Sequence, residues 1–232
     1  QKSAESYLAK ADEWANRIES WTVTTNGRYS DGNYYLRLTE KGTPGAGLRI
    51  ELNNNMGLAD ERDIVDPSFL ELVRLGIKSP RDPLIEKSLK ITDQLLRIET
   101  PKGAAWYRYV RDGYGETHDG RPWNWDGKYS GKGHLWVLLT GERGEYEIAR
   151  GEFQKARARL EAMSRFANEG MMLSEQIWDR PQSPAPNLRF GEGTGSATPL
   201  AWSMAQFIRL ALNLRQRKNL DTPDVVARRY LR

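Results

Sequence analysis

Apolar residues along this chain recur with two different periods, and where the period is helical they cover two different widths. From Ser3 to Trp21 the residues Tyr7, Leu8, Ala11, Trp14, Ala15, Ile18 and Trp21 return every three or four positions, with Lys10, Asp12, Glu13 and Arg17 between them. One face is apolar and the other charged, which predicts an outer helix half in water. Over Ser68 to Ile77 the residues Phe69, Leu70, Leu72, Val73, Leu75 and Ile77 cover most of the circumference, so this helix is predicted to be buried. Asp66 is a fitting N-cap for it, and Pro67 suits the first helical position. Asp82-Pro83 repeats that start signal for an amphipathic helix over Leu84 to Ile98. Three more helices are predicted: a short apolar one at His134 to Leu139, an amphipathic one over Tyr146 to Ala167, and an apolar one from Leu200 to about Leu214 with Thr198 as N-cap. Between Thr22 and Leu52 the period drops to two. Tyr34 to Leu38 and Leu48 to Leu52, joined by the Gly/Pro turn Lys41 to Gly47, predict an antiparallel hairpin that Asn53-Asn54-Asn55 closes off.

Outer and inner helices therefore alternate along the chain. An α/α toroid produces that order, because each inner helix is covered by its outer partner on one side and by inner neighbours on the others. The expected fold is mainly α: half of an (α/α)6 toroid or barrel with a small β-hairpin excursion at about residues 22–52, the three helix pairs making about half of a closed ring. Long aromatic loops precede two of the inner helices and would gather at one mouth of the toroid.

Composition removes several alternatives. Among 232 residues, Lys+Arg 35 against Asp+Glu 31 leaves only +4, and the basic residues are scattered, which speaks against a nucleic-acid partner. With no cysteine and only His118 and His134, neither a disulfide framework nor a thiolate or His-based metal site is expected, and no cofactor is called for. No stretch approaches ~20 uninterrupted apolar residues, so no membrane span is expected. The chain opens at Gln1 without an initiator Met or signal sequence, which suggests a mature product or a piece of something longer.

The densest chemistry lies in Gly170-Met171-Met172-Leu173-Ser174-Glu175-Gln176-Ile177-Trp178-Asp179. Here one carboxylate, Glu175, is framed by apolar side chains and followed by a Pro/Gly/Asn-rich loop from Arg180 to Gly195, the kind of irregular backbone that carries binding and catalytic groups. Read by itself, the same carboxylate could equally serve as a helix cap or a structural ion pair. A second concentration runs through residues 99–132, with Trp106-Tyr107-Arg108-Tyr109, Asp112-Gly113-Tyr114-Gly115-Glu116 and Pro122-Trp123-Asn124-Trp125-Asp126-Gly127. Tyr and Trp faces cover the C–H faces of sugar rings, while Arg108, Arg111, Asp112, Glu116, Asp119 and Asp126 offer hydrogen bonds to hydroxyls, so a neutral polyhydroxylated ligand is expected. Gly113-Tyr114-Gly115 is no phosphate cradle, because no Lys-Ser/Thr follows it.

Taken together, Leu173-Ser174-Glu175-Gln176 with Trp178-Asp179, the Trp106-Tyr107-Arg108-Tyr109 and Asp112 to Glu116 segments, Pro122-Trp123 and Thr198-Pro199-Leu200-Ala201-Trp202 resemble the glucoamylase and glucodextranase family, glycoside hydrolase family 15, in its bacterial branch. The resemblance runs from Gln1 to the end of the chain. It implies an (α/α)6 barrel and an exo-acting, inverting hydrolysis of α-glucosidic bonds from the non-reducing end. It also implies that Glu175 is the general base, that Arg108 holds hydroxyls of the terminal glucose, and that Trp123, Trp178, Tyr109 and Glu116 contribute to substrate binding. The family's general acid, a Glu after an aromatic residue at the start of an earlier inner helix, has no counterpart here. Residues 1–232 are therefore expected to be the C-terminal part of one catalytic domain. Its partners would be an α-glucan or oligosaccharide and an N-terminal half carrying the acid, and its location outside the cytoplasm. A toroid that binds oligosaccharide without cleaving it, or an inactive fragment, remains the alternative.

Overall fold

A computed structural model of the chain describes residues 2–123 and 131–231. The described part is mainly helical, and the predicted alternation is visible in it. α1 (Lys2–Thr22) lies on the outside with most of its length in solvent; Tyr7 and Trp14 are 76% and 56% exposed. Its last turns are held by apolar packing, Ile18 lying against the cluster that includes Val23, Tyr35, Phe69 and Ile85.

The period-two segment forms strands, but not the predicted pair. β1 (Val23–Thr24) pairs antiparallel with β2 (Tyr34–Tyr35), and β3 (Arg49–Leu52) pairs with β4 (Gly57–Asp60). The expected pairing of Tyr34 to Leu38 with Leu48 to Leu52 fails because the asparagines make a turn rather than an end. Asn54 and Asn55 take φ of 58° and 60°, a left-handed conformation that Asn tolerates, and the chain folds straight back on β3. The loop from 40 to 48 is tied instead by the buried Glu61, which accepts from the backbone N–H of Glu40 at 3.0 Å and of Leu48 at 3.3 Å.

Asp66 accepts from the Ser68 amide at 3.0 Å, as a cap should, but the helix it introduces is short: α2 (Leu70–Arg74), with turns on either side. α3 (Pro83–Leu96) starts as predicted, Asp82 accepting from Leu84 and Ile85. It ends two residues earlier than expected because the chain enters a sheet. β5 (Arg97–Thr100), β6 (Gly103–Tyr107), β7 (Leu135–Trp136) and β8 (Gln176–Ile177) form one antiparallel sheet in that order. No sequence pattern announces the sheet as a whole, since its two-residue strands β7 and β8 show no period. It positions the site: Trp106 pairs with Trp136, and Trp136 with Gln176, so three segments distant in sequence end at one place.

The residues after Trp136 form α4 (Val137–Ala149), which runs through Gly141, and α5 (Phe153–Phe166) takes over the outer position. Gly141 does not end a helix because it faces another one. A Cβ at Gly141 would fall inside contact distance of the Gln206 side chain, and one at Gly144 would meet Leu210 Cδ1 at 2.8 Å. α6 (Ala201–Gln216) approaches α4 there, and α7 (Asp224–Tyr230) returns to α1 through Arg229 and Tyr230, which both reach Asp12. Thr198 is not the N-cap of α6; Leu200 stands there without a side-chain cap. Nor is α6 buried all round, as its composition predicts. It turns Ser203, Gln206, Leu210 and Asn213 inward and leaves Trp202, Ile208 and Leu212 exposed at 65%, 57% and 44%. The main apolar core lies between α4, α5, α6 and the sheet, around Leu135, Val137, Met163, Phe166, Ile177 and Leu210.

Candidate active site

At the ends of β7 and β8, a cavity of about 290 Å3 is lined by Tyr114, Gly115, Glu116, Trp123, Glu175, Gln176, Asn187, Ser196 and neighbouring residues. Glu175 is placed there by backbone alone: its amide donates to Ala197 O at 2.9 Å, and the next residue begins β8. The side chain is neither a helix cap nor a partner in any ion pair among the described residues. Its Oε2 accepts from the Tyr114 hydroxyl at 3.1 Å, and Oε1 has no hydrogen-bond partner among the described residues. Burial pushes the Glu175 carboxyl up from the ordinary glutamate range. The Tyr114 hydrogen bond and the Arg108 charge pull the other way, and the charges of Glu116 and Asp112 add to the rise.

Trp123 lines the cavity beside this carboxylate's partner, its ring meeting Tyr114 edge-on at 4.9 Å between centroids. Glu116 forms part of the wall. Its Oε1 accepts from the Gly195 amide at 2.6 Å, while Oε2 is buried without a hydrogen bond, 3.7 Å from His134 Nε2. Arg108 lies beside the cavity rather than in its lining. Asp112 grips it with two hydrogen bonds of 2.8 and 2.9 Å, and its guanidinium is within 4.8 to 5.4 Å of the Trp136, Tyr109 and Tyr114 rings. Such a bidentate grip fixes the direction of a planar cation.

The sequence's remaining candidates stand elsewhere. Tyr109 is 4% exposed and packs with Ile50, Leu52 and Ile64, because the β3–β4 hairpin takes up its ring; it does not reach the cavity. Trp178 is fully buried beneath the site, its Nε1 donating to Gln182 O at 2.9 Å and its ring between His134 and Arg180. It supports the wall without lining it. Arg111 donates to the backbone oxygens of Met56 and Leu58, and Asp119 is engaged with Thr117 and Arg121. Trp125 and Asp126 lie outside the described residues.

What sequence reasoning missed is the polar support under the cavity. Asp179 Oδ2 accepts from the Tyr107 hydroxyl at 2.6 Å and from Lys132, and Oδ1 lies 3.2 Å from His134 Nδ1. Burial works against charge on Asp179, but the hydrogen bonds from His134, Lys132 and Tyr107 prevail and hold its carboxyl far below the usual range. His134 Nε2 in turn lies 3.2 Å from the Glu116 carbonyl, and the His134 amide donates to Gln176 Oε1 at 3.3 Å. The signal available was weak, a lone histidine beside a short apolar run. Among the described residues no group of three or more His, Asp or Glu side chains is arranged to hold a metal ion.

A half-buried carboxylate with one oxygen unbonded among the described residues, in a small cavity lined by both aromatic rings and polar groups, suits a ligand with both C–H faces and hydroxyls. Comparison with known proteins gives the same direction. Residues 1–212 match the family model described as glycosyl hydrolases family 15. A glucoamylase of Clostridium sp. (strain G0005) is 44% identical over 230 residues, which is 99% of this chain and 31% of that protein. The crystal structure of a bacterial glucoamylase complexed with acarbose superposes with a TM-score of 0.91 at 44% identity, covering 100% of this chain and 32% of that one. The chain thus spans about a third of the length of the relatives it matches. With the helical alternation, the site and the family model in agreement over most of its length, the chain belongs to glycosyl hydrolases family 15.

Proposed function

We propose that this chain is the C-terminal part of one (α/α)6 catalytic domain of an exo-acting, inverting α-glucosidase that releases glucose from the non-reducing end of α-glucans. Glu175 is the general base. It stays ionised, draws a proton from a water molecule through its free Oε1, and directs that water at the anomeric carbon of a glucose unit held against Trp123. The observation that carries this reading is the environment of Glu175: a carboxylate free of any ion pair among the described residues, half-buried, in the lining of a cavity that also holds Tyr114 and Trp123. Arg108, aimed by Asp112, holds hydroxyls of the same unit.

Inversion requires a second carboxyl about 6.5–9.5 Å from the base to protonate the leaving oxygen. Glu116 is ill suited to that part, since one oxygen is spent on the Gly195 amide and the other is buried against His134. In line with the family resemblance, the acid is assigned to an N-terminal half, and the isolated chain binds oligosaccharide without hydrolysing it. A polymeric substrate fits a location outside the cytoplasm.

The test is glucose release by the chain joined to its upstream half, followed by NMR of the anomer first formed. Glu175→Gln is expected to lower kcat at least ~100-fold, with β-glucose as the initial product of the parent enzyme. Activity surviving that substitution, or an initial α-anomer, overturns the assignment. Titration of the chain alone with maltose or isomaltose, read by Trp fluorescence, reports binding apart from chemistry.

A further inference from the structure

Glu175 and Gln176 are adjacent at the start of β8, and both reach across to Tyr114, in opposite senses. The Tyr114 hydroxyl donates to Glu175 Oε2 at 3.1 Å, while the Gln176 side-chain Nε2 donates to the Tyr114 carbonyl at 3.0 Å. The Tyr114 amide is fixed as well, donating to Asp112 Oδ1 at 3.0 Å, on the same carboxylate that grips Arg108. Its ring is flanked by Trp123 and Trp136, and Trp136 pairs with Gln176 across the sheet. The next residue must be small: a Cβ on Gly115, at φ 140°, would press on Gln176 Oε1 and, at 2.8 Å, on Lys132 O. Backbone, ring and hydroxyl of one tyrosine are thus all held, and among the described residues the hydroxyl holds only Glu175.

We propose that Tyr114 is the positioning residue for Glu175, occupying one carboxylate oxygen so that Oε1 alone is presented to the water, and clasping it to the Trp123 wall. A carboxylate with a rotatable terminal bond presents either oxygen in many directions; a hydrogen bond to one oxygen from a locked ring removes that freedom. Donation to the charged form also favours ionisation of the base. Among the described residues, the charged or titratable groups acting on Glu175 are Tyr114, Arg108, Asp112 and Glu116, all on the 108–116 segment, while the residues that line the cavity from the other side, Asn187, Leu188 and Gly195 to Ala197, are neutral. Loss of the Tyr114 hydroxyl therefore leaves Glu175 with burial, Glu116 and Asp112 against only Arg108. The sign is fixed: the base becomes harder to ionise.

This inference rests on the role proposed for Glu175, and the experiment separates the two. In the intact enzyme, Tyr114→Phe keeps the ring and its contacts and removes one oxygen. Expected are a fall in kcat of roughly 10- to 100-fold with KM changed by less than about threefold, and a shift of the acid limb of the kcat–pH profile upward by about half to one pH unit. Replacement by 3,5-difluorotyrosine, a stronger donor, moves the same limb downward. If Glu175→Gln is inactive but neither tyrosine variant moves the acid limb, the positioning role is wrong while the base assignment stands. If Glu175→Gln remains active, both fall. Should Tyr114→Phe lose its fold by circular dichroism, the fluorinated residue, which preserves every contact, decides alone.

Discussion

α4 and α6 occupy the same inner layer and are similarly rich in apolar residues, yet they are covered in opposite ways. α4 is enclosed by α2, α5, α6 and β6, and its turns bury Val137, Thr140, Gly144, Glu145, Tyr146 and Ile148. α6 shows α4 a side that is polar except for Leu210. Glu145 accepts from Arg209 at 2.7 and 2.9 Å and from Asn213 at 3.0 Å, so the joint between the two helices combines charge-assisted hydrogen bonds with the close approach of Leu210 to Gly144. A second set of apolar residues on α6, Trp202, Ile208 and Leu212, faces out. The contrast shows that the joint needs small residues on α4, whereas the outward side of α6 contributes almost nothing to this part of the fold.

The strongest way to break that contrast is to deny α4 its small residues. Gly141→Leu places a branched side chain against the buried Gln206, where overpacking costs about 3 kcal/mol and the gain in helix propensity returns about 0.8. A net loss of about 2 kcal/mol is expected in urea or thermal unfolding. Unfolding unchanged from the parent would mean that α6 is free to move away from α4.

Gly141 also marks how far the sequence could be read. Long amphipathic or apolar runs reveal α1, α3 and the alternation of outer and inner layers, because a 3.6-residue period sustained over three or more turns suits no backbone but a helix. The glycine reads as punctuation, since sequence alone does not distinguish a helix end from a close helix contact. Glu175 and Trp123 are legible through their motif and meet in one cavity. Tyr109 and Trp178 belong to the same motifs but are spent on core and support, and nothing in an aromatic's identity says on which side of a wall it will lie. The Asp179, His134, Lys132 and Tyr107 network is illegible because it forms only when β6 and the two-residue strands β7 and β8 bring residues 107, 134 and 179 together.

The electrostatic side of the same joint gives a smaller effect. Burial, followed by the charges of Glu71 and Glu145, pushes the Glu142 carboxyl up to about 7. A raised carboxyl holds its proton longer in the folded state than in the unfolded chain, so its contribution to stability is fully present below the ordinary glutamate pKa of 4.5 and is lost as pH rises through about 7. Unfolding free energy is expected to fall by about 1–2 kcal/mol between pH 5 and 7.5, and Glu142→Gln to flatten that slope. A slope of the same size in Glu142→Gln would place the titrating group elsewhere.

The smallest change is expected on the other side of α6, and it tests the comparison most sharply. Trp202→Ser, Ile208→Thr and Leu212→Gln remove exposed apolar surface from positions that make little contact here, so each should alter the unfolding free energy of this chain by no more than about 0.5 kcal/mol. The same substitutions acquire a different weight if the proposed upstream half packs against that face, because large-to-small changes in a closed core cost about 2–5 kcal/mol each. Measuring the three variants in the chain alone and in the joined enzyme gives a difference that belongs to the second half only. A large loss in the chain alone would mean that α6 already uses its outward face. No loss in either form would mean that whatever covers the site approaches from another side.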